Sequence, residues 1–131
     1  MPRRTEEHQQ QAAFFRWADT QTSYPLATMH AIPNAARRSP RQGAWMKSEG
    51  MRAGVLDVNL PIPQGDWHGL WLEFKIKPNK LTPAQEAFKQ EIESYCMVRV
   101  CYSWLEAKAA VEEYFAVGKA VAAAELAART F

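Results

Sequence analysis

The sequence predicts a single α/β domain in which helices cover a mixed β-sheet, and three observations predict it. Segments with helical apolar spacing and segments with strand-like alternation follow one another in the order helix, short strand, helix, hairpin, helix, strand, helix. Proline, glycine and capping residues fall at the junctions between those segments. The 131 residues are 47% hydrophobic and include five tryptophans, four tyrosines and six phenylalanines, enough for one core at a length typical of one domain. The expected organisation is one domain over 1–131, with a core of about 5–115 and a C-terminal helical extension at 118–131. No repeat or low-complexity linker interrupts it.

Residues 5–18 read as the first helix, because Ala13, Phe14, Trp17 and Ala18 recur at three and four residues, with Thr5 as its N-cap. Ala27 to Ile32 is a brief extended segment that Pro33-Asn34 ends. Ser39-Pro40 is an N-cap followed by proline at the first helical position, and Gly50 or Gly54 closes the helix it opens. Val55 to Leu60 and Gly69 to Ile76 both alternate: Leu56, Val58 and Leu60 oppose Val55, Asp57 and Asn59, while Leu70, Leu72, Phe74 and Ile76 oppose Trp71, Glu73 and Lys75. Pro61, Pro63, Gly65 and Asp66 between them are turn residues, so the pair is an antiparallel hairpin with a loop of about eight residues. Thr82-Pro83 starts a further helix carrying Phe88 and Ile92, Met97 to Tyr102 is a third apolar strand, and Ser103 caps a helix carrying Leu105, Ala109, Val111 and Phe115. Gly118 is expected to separate that helix from the alanine-rich one at the end of the chain.

Composition excludes several functions. No apolar run approaches the roughly 18 residues of a membrane span, and MPRRTEEHQQQ has no apolar stretch behind its arginines, so neither a membrane protein nor a secretory signal is indicated and the expected compartment is the cytoplasm. Cys96 and Cys101 lie five apart in a strand-like stretch, an odd separation that points them to opposite faces and fits reduced, buried thiols. His8, His30 and His68 are scattered, which opposes a zinc site or a histidine-based nuclease. The net charge of +2 conceals an asymmetry: Arg37, Arg38, Arg41, Lys47 and Arg52 face a single acid, Glu49, between positions 34 and 52, whereas 86–125 is net acidic. Asn34, Arg37, Arg38, Arg41 and Lys47 are therefore the candidate phosphate contacts. Trp45, Trp67, Trp71 and Trp104 read as packing residues, with Trp67 in the hairpin loop the one placed to stack on a base.

The chemistry concentrates in the hairpin. Glu73 and Lys75 are two apart and point the same way, Asp57 has matching parity on the neighbouring strand, and both acids interrupt apolar runs where charge is disfavoured without a role. Two carboxylates and an ammonium converging without histidine or cysteine suit a hard ion such as Mg²⁺ or Mn²⁺, which polarises a phosphodiester and acidifies a bound water.

An Asp on one strand followed by Glu-x-Lys on the next resembles the signature of the PD-(D/E)XK nuclease superfamily, and the chain more specifically resembles the VRR-NUC family of virus-type replication-repair nucleases. The resemblance runs from about Glu7 to Phe115, through Glu7 and Gln11, Ile32-Pro33-Asn34, Arg37-Arg38, Glu49-Gly50, Gly54, Asp57, Gly69-Leu70-Trp71-Leu72-Glu73-Phe74-Lys75 and Leu81-Thr82-Pro83-Ala84-Gln85. It departs from the pattern at Leu56, where the superfamily has proline, and at Ser94-Tyr95, where a glycine turn is expected. The resemblance implies a restriction-endonuclease-like core that cleaves DNA with Mg²⁺ or Mn²⁺. It implies that Asp57, Glu73, the Phe74 carbonyl and Glu7 ligate metal, that Lys75 is the catalytic lysine, and that Gln85 lies close by. Small members of the family resemble phage proteins acting on branched DNA in the bacterial host, such as four-way junctions; the alternative is a non-cleaving nucleic-acid-binding module of the same fold. Paired cuts across a junction call for two sites, hence a homodimer, with Val117, Val121 and Phe131 as its candidate surface unless the terminal helix folds back on its own domain.

Overall fold

The computed structural model describes residues 3–33 and 39–130, and among them eight elements follow in chain order. They are α1 (Arg3–Asp19), β1 (His30–Ala31), α2 (Pro40–Ser48), β2 (Val58–Leu60), β3 (Leu70–Phe74), α3 (Pro83–Ile92), β4 (Met97–Cys101) and α4 (Trp104–Thr130). The α/β reading holds, and the sheet is mixed. Its order is β1-β2-β3-β4, with the first two pairings antiparallel and β3-β4 parallel. The β2-β3 hairpin pairs Val58 with Leu72, Asn59 with Trp71 and Leu60 with Leu70. α3 then makes the crossover that a parallel β4 requires.

Alternation sorts the two faces. Val58, Leu60, Leu70, Leu72 and Phe74 are buried on one of them, where α1 and α4 supply Phe14, Val111, Tyr114 and Phe115, and Leu56 is buried just before β2. Phe14 has its ring centroid 5.7 Å from that of Phe74, and burying each such side chain stabilises the fold by roughly 1.5–3 kcal/mol. Gln10 of α1 accepts the Trp104 N–H at 2.8 Å, so α1 caps α4 as well as packing against it. The opposite face carries Asp57, Asn59, Trp71, Glu73 and Lys75, and α3 lies on it with Phe88 edge-on to Trp71 at 5.2 Å.

α2 and α3 start by the same device. Ser39 and Thr82 are N-caps, each followed by proline, and each forms a capping box with a glutamine, Gln42 or Gln85. Gly50 follows α2 at φ +101°, a conformation open to glycine, after the Glu49 cap. Cys96 and Cys101 are free thiols, and burial pushes Cys101 up to about 12, so it stays protonated and packs as a small apolar residue.

Some of these expectations need correction. α1 begins at Arg3, so Thr5 lies inside its first turn and is not its cap. The segment 27–32 holds the expected brief strand as the two residues of β1, after a turn, closed by the Met29 N–H to the Leu26 carbonyl, in which both of those side chains are buried. β2 and β3 are shorter than the alternating runs, and Ile76 is half-buried beyond the end of β3.

Gly118 does not divide the last helix. α4 is continuous to Thr130, since one glycine costs a helix only about 1 kcal/mol and its neighbours are good helix formers. Its missing side chain instead admits Gln64 of the hairpin loop, which a methyl group would overlap. That loop also accepts the Tyr114 hydroxyl at the Ile62 carbonyl. Val117 packs on the core and Val121 lies against Gly65, so α4 folds onto its own domain as far as Val121, while 122–129 are exposed. Both valines are half-buried against their own domain, and Phe131 lies outside the described residues.

Candidate active site

The hairpin register that pairs Val58 with Leu72 sets Asp57 opposite Glu73. Each carboxylate is then held by the other strand's backbone: Glu73 Oε1 accepts the Asp57 N–H at 3.0 Å, and Asp57 Oδ2 accepts the Phe74 N–H at 2.9 Å. The Asp57 carbonyl accepts the Ile32 N–H at 2.7 Å, extending the sheet past the last paired residue of β1. Lys75 follows β3, with its N–H donated to the Cys101 carbonyl and its Nζ 3.8 Å from Glu73 Oε2.

Gln85 completes the group from α3. Its amide oxygen accepts the Thr82 N–H at 2.9 Å and its amide nitrogen donates to Glu73 Oε2 at 3.1 Å. A helix cap and a carboxylate clamp are thus one side chain, oriented by the cap. Gly54 supports the same junction: at φ +80°, it presses so closely on Ala84 and Gln85 that a Cβ would overlap the Ala84 carbonyl. The chain leading to Asp57 and the start of α3 are locked together there.

Glu73 is the one buried charged side chain among the described residues, 3% exposed. Burial is the largest influence on its carboxyl, followed by repulsion from Asp57 and a hydrogen bond between the two; Lys75 and the Asp57 N–H oppose them, and the result is a carboxyl pushed up to about 8. At neutral pH the pair therefore retains a proton. A divalent cation between the two carboxylates would remove the reason for retaining it, and the donors are hard oxygens with no histidine or cysteine among them. Among the described residues no group of three or more His, Cys, Asp or Glu could hold an ion. Two carboxylates nevertheless match Mg²⁺, which takes one or two and completes its shell with water and substrate phosphate.

Asp57, Glu73, Lys75 and Gln85 come together as the sequence led one to expect. Glu7 is half-buried on α1, one heptad before Phe14, and is not among the side chains hydrogen-bonded to the pair. Arg41 and Lys47 are exposed on α2, with Arg52 exposed just beyond it. Asn34, Arg37 and Arg38 lie outside the described residues.

A solved structure described as a VRR_NUC domain protein matches this chain with a TM-score of 0.72 and probability 1.00, over 86% of this chain and 89% of that one, at 25% sequence identity. The chain shares the fold of a VRR_NUC domain protein. No family model matches the sequence, and no curated protein matches it. The VRR_NUC resemblance read from scattered short motifs thus holds in three dimensions, and the fold is a nuclease-family fold. Of the two departures, Leu56 is fully buried, and Ser94-Tyr95 lies in the turn after α3, where the Tyr95 N–H bonds the Ile92 carbonyl.

Trp71 and Trp104 pack as expected, and the exposed tryptophan is Trp45, not the loop residue Trp67. Trp67 is half-buried against the core and bridged to Gln64 in the hairpin loop, whereas Trp45 is 69% exposed. A signal for this existed in the sequence: PRQGAWMKS has Trp45 and Met46 as its large apolar residues and no apolar stripe to turn inward. Gly54 was legible as part of the motif series, but its role as the contact between loop and helix was not.

Proposed function

We propose that this protein is a Mg²⁺- or Mn²⁺-dependent endodeoxyribonuclease that acts on branched DNA such as four-way junctions, as a homodimer. The observation that carries the reading is the Asp57–Glu73 pair, two carboxylates cross-tied by backbone N–H groups, one of them buried, with Lys75 alongside. A buried carboxyl costs stability that a purely structural hairpin has no reason to bear.

Asp57, Glu73 and the Phe74 carbonyl are the residues that would hold the ion, with Glu7 of α1 as the further ligand the family resemblance implies. When bound, Mg²⁺ or Mn²⁺ supplies a Lewis acid for the phosphoryl group and lowers the pKa of a water. Glu73 would serve as a ligand in its ionised form, and Gln85, which donates to one of its oxygens, would hold that carboxylate in one orientation. Lys75, its side chain 12% exposed and beside Glu73, is placed to orient the attacking water and to offset charge building on the phosphate. Arg41 and Lys47 on α2, with Asn34, Arg37 and Arg38 before it, supply the phosphate contacts. No helix among the described residues is long and apolar enough to cross a membrane, and the proposed setting is the cytoplasm of a bacterium, with the gene carried by a phage or prophage.

The test is incubation with end-labelled duplex, flap, single-stranded and four-way-junction DNA in Mg²⁺, Mn²⁺ or EDTA, with Asp57→Asn as control. Cleavage that needs the metal and Asp57, strongest on branched substrates, is expected. Binding without cleavage in either metal would make the protein a non-cleaving module, and equal cleavage by the Asp57→Asn protein would remove the assigned centre. Light scattering with and without junction DNA tests the dimer, since a mass near the 14.9 kDa of one chain in both would leave a nicking enzyme.

A further inference from the structure

A surface helix in a globular domain normally turns an apolar stripe inward. α2 turns none: no residue from Pro40 to Ser48 is buried. Its largest side chain, Trp45, is 69% exposed, whereas Trp17, Trp67 and Trp104 pack on the core and Trp71 meets Phe88. Among the described residues the Trp45 ring meets no other ring. A recess of 560 Å³ runs along this side of the helix, lined by Arg41, Gln42, Trp45, Met46 and Glu49.

We propose that Trp45 and Arg41, one turn apart on α2, form a platform on which an unpaired base of the DNA substrate stacks while its phosphate lies against the guanidinium. This rests on the reading of the chain as a DNA-acting protein and adds to it a site for single-stranded character. An indole face stacks on any base and a neighbouring arginine adds a phosphate contact, the combination that sequence-tolerant single-strand sites use. Lys47 and Arg52 leave the segment basic overall, complementary to a backbone. Glu49, one turn beyond Trp45, repels phosphate, so the strand crosses the Arg41 end of the helix. Gln42 has its amide oxygen engaged by the Ser39 N–H, and its amide nitrogen has no partner among the described residues, a donor available to a base edge.

The platform lies within reach of the carboxylate pair. Gly54 is packed on Gln85, which holds Glu73. Gly54 lies five positions beyond Glu49 at the end of α2, a span of at most about 18 Å, and Trp45 is about 6 Å further along the helix. That distance corresponds to about seven nucleotides at 3.4 Å each. A base displaced at a branch and a phosphodiester in the adjoining duplex can be held together.

Fluorescence anisotropy in EDTA tests this with three labelled probes: a blunt duplex, the same duplex with a single-stranded tail, and the same tail made abasic. The native protein is expected to bind the tailed duplex more tightly than the abasic one. Trp45→Ala should weaken binding to the tailed duplex by about tenfold, within the range that loss of one stacked base produces, and bring it to the abasic level. Blunt-duplex affinity should change by less than about twofold, and Trp45→Phe should retain most of the preference. Because Trp45 is 69% exposed, the alanine variant should melt like the native protein. Equal loss on all three probes, or no loss on any, overturns the platform while leaving the nuclease reading standing. Conversion of a dimer to a monomer by Trp45→Ala, with DNA affinity unchanged, would also overturn it, because the indole would then be a contact between copies of the chain. Failure of the native protein to bind any probe overturns the functional reading and the platform with it.

Discussion

Replacing Glu73 by glutamine should make the metal-free protein less stable in mild acid and more stable in mild alkali. The Glu73 carboxyl stands at about 8 in the folded protein against an ordinary 4.5. Between those values the native state keeps a proton that the unfolded chain has lost, so stability is greatest below about pH 4.5 and falls as pH rises through 8. At about 1.36 kcal/mol per unit, the loss between pH 5 and pH 8 is about 3–4 kcal/mol, large against a domain stability of roughly 5–15 kcal/mol. Glutamine does not titrate, so this slope disappears. It also gives up a hydrogen bond: Glu73 accepts from Asp57 on one oxygen and from Gln85 on the other, and Gln85 cannot reverse its amide while its oxygen holds the Thr82 N–H. One lost bond costs about 1 kcal/mol. The two melting curves should therefore cross, with the difference in Tm between variant and native protein swinging by on the order of 10 °C from pH 5 to pH 8. Circular dichroism melts in EDTA across that range decide it. Curves that stay parallel within about 2 °C would mean that Glu73 is not held protonated by its surroundings.

Three further outcomes follow from particular contacts. Lys75→Ala should lower cleavage by orders of magnitude while the protein stays folded, because the ammonium stands 3.8 Å from the Glu73 carboxyl at the proposed centre; single-turnover rates in Mg²⁺ at matched fold, by circular dichroism, measure it. Gly54→Ala should destabilise the domain by about 2 kcal/mol or more, since its φ of +80° disfavours a side chain and the new methyl group meets Ala84 backbone; a urea melt reads this, and an unchanged midpoint would show that the loop relaxes freely. Neutralising Arg41 and Lys47 together should reduce the slope of log affinity against log salt on duplex DNA by about 2, at roughly 0.9 per phosphate contact, whereas an unaltered slope would move the DNA surface away from α2.

Period-2 alternation in 55–60 and 69–76 determined, without any structure, which side chains share the face of Asp57, because in a strand parity alone assigns the face. Ser39-Pro40 and Thr82-Pro83 likewise located two helix starts to the residue, since an N-cap and a proline at the first helical position act on their own backbone. Features that depend on what lies opposite were not legible. Parallel pairing of β4, the burial of Glu73 and the double use of Gln85 all require α3 to be seated on the sheet, and no local pattern encodes that seating. Gly118 looked like a break because glycine weakens an isolated helix, yet in the folded chain the space it leaves is filled by Gln64 from a loop more than fifty residues away. Trp45 and Trp67 exchanged roles for the same reason. An indole's burial is decided by the surface it meets, and only the tertiary structure brings the hairpin loop to α4 and leaves α2 in solvent.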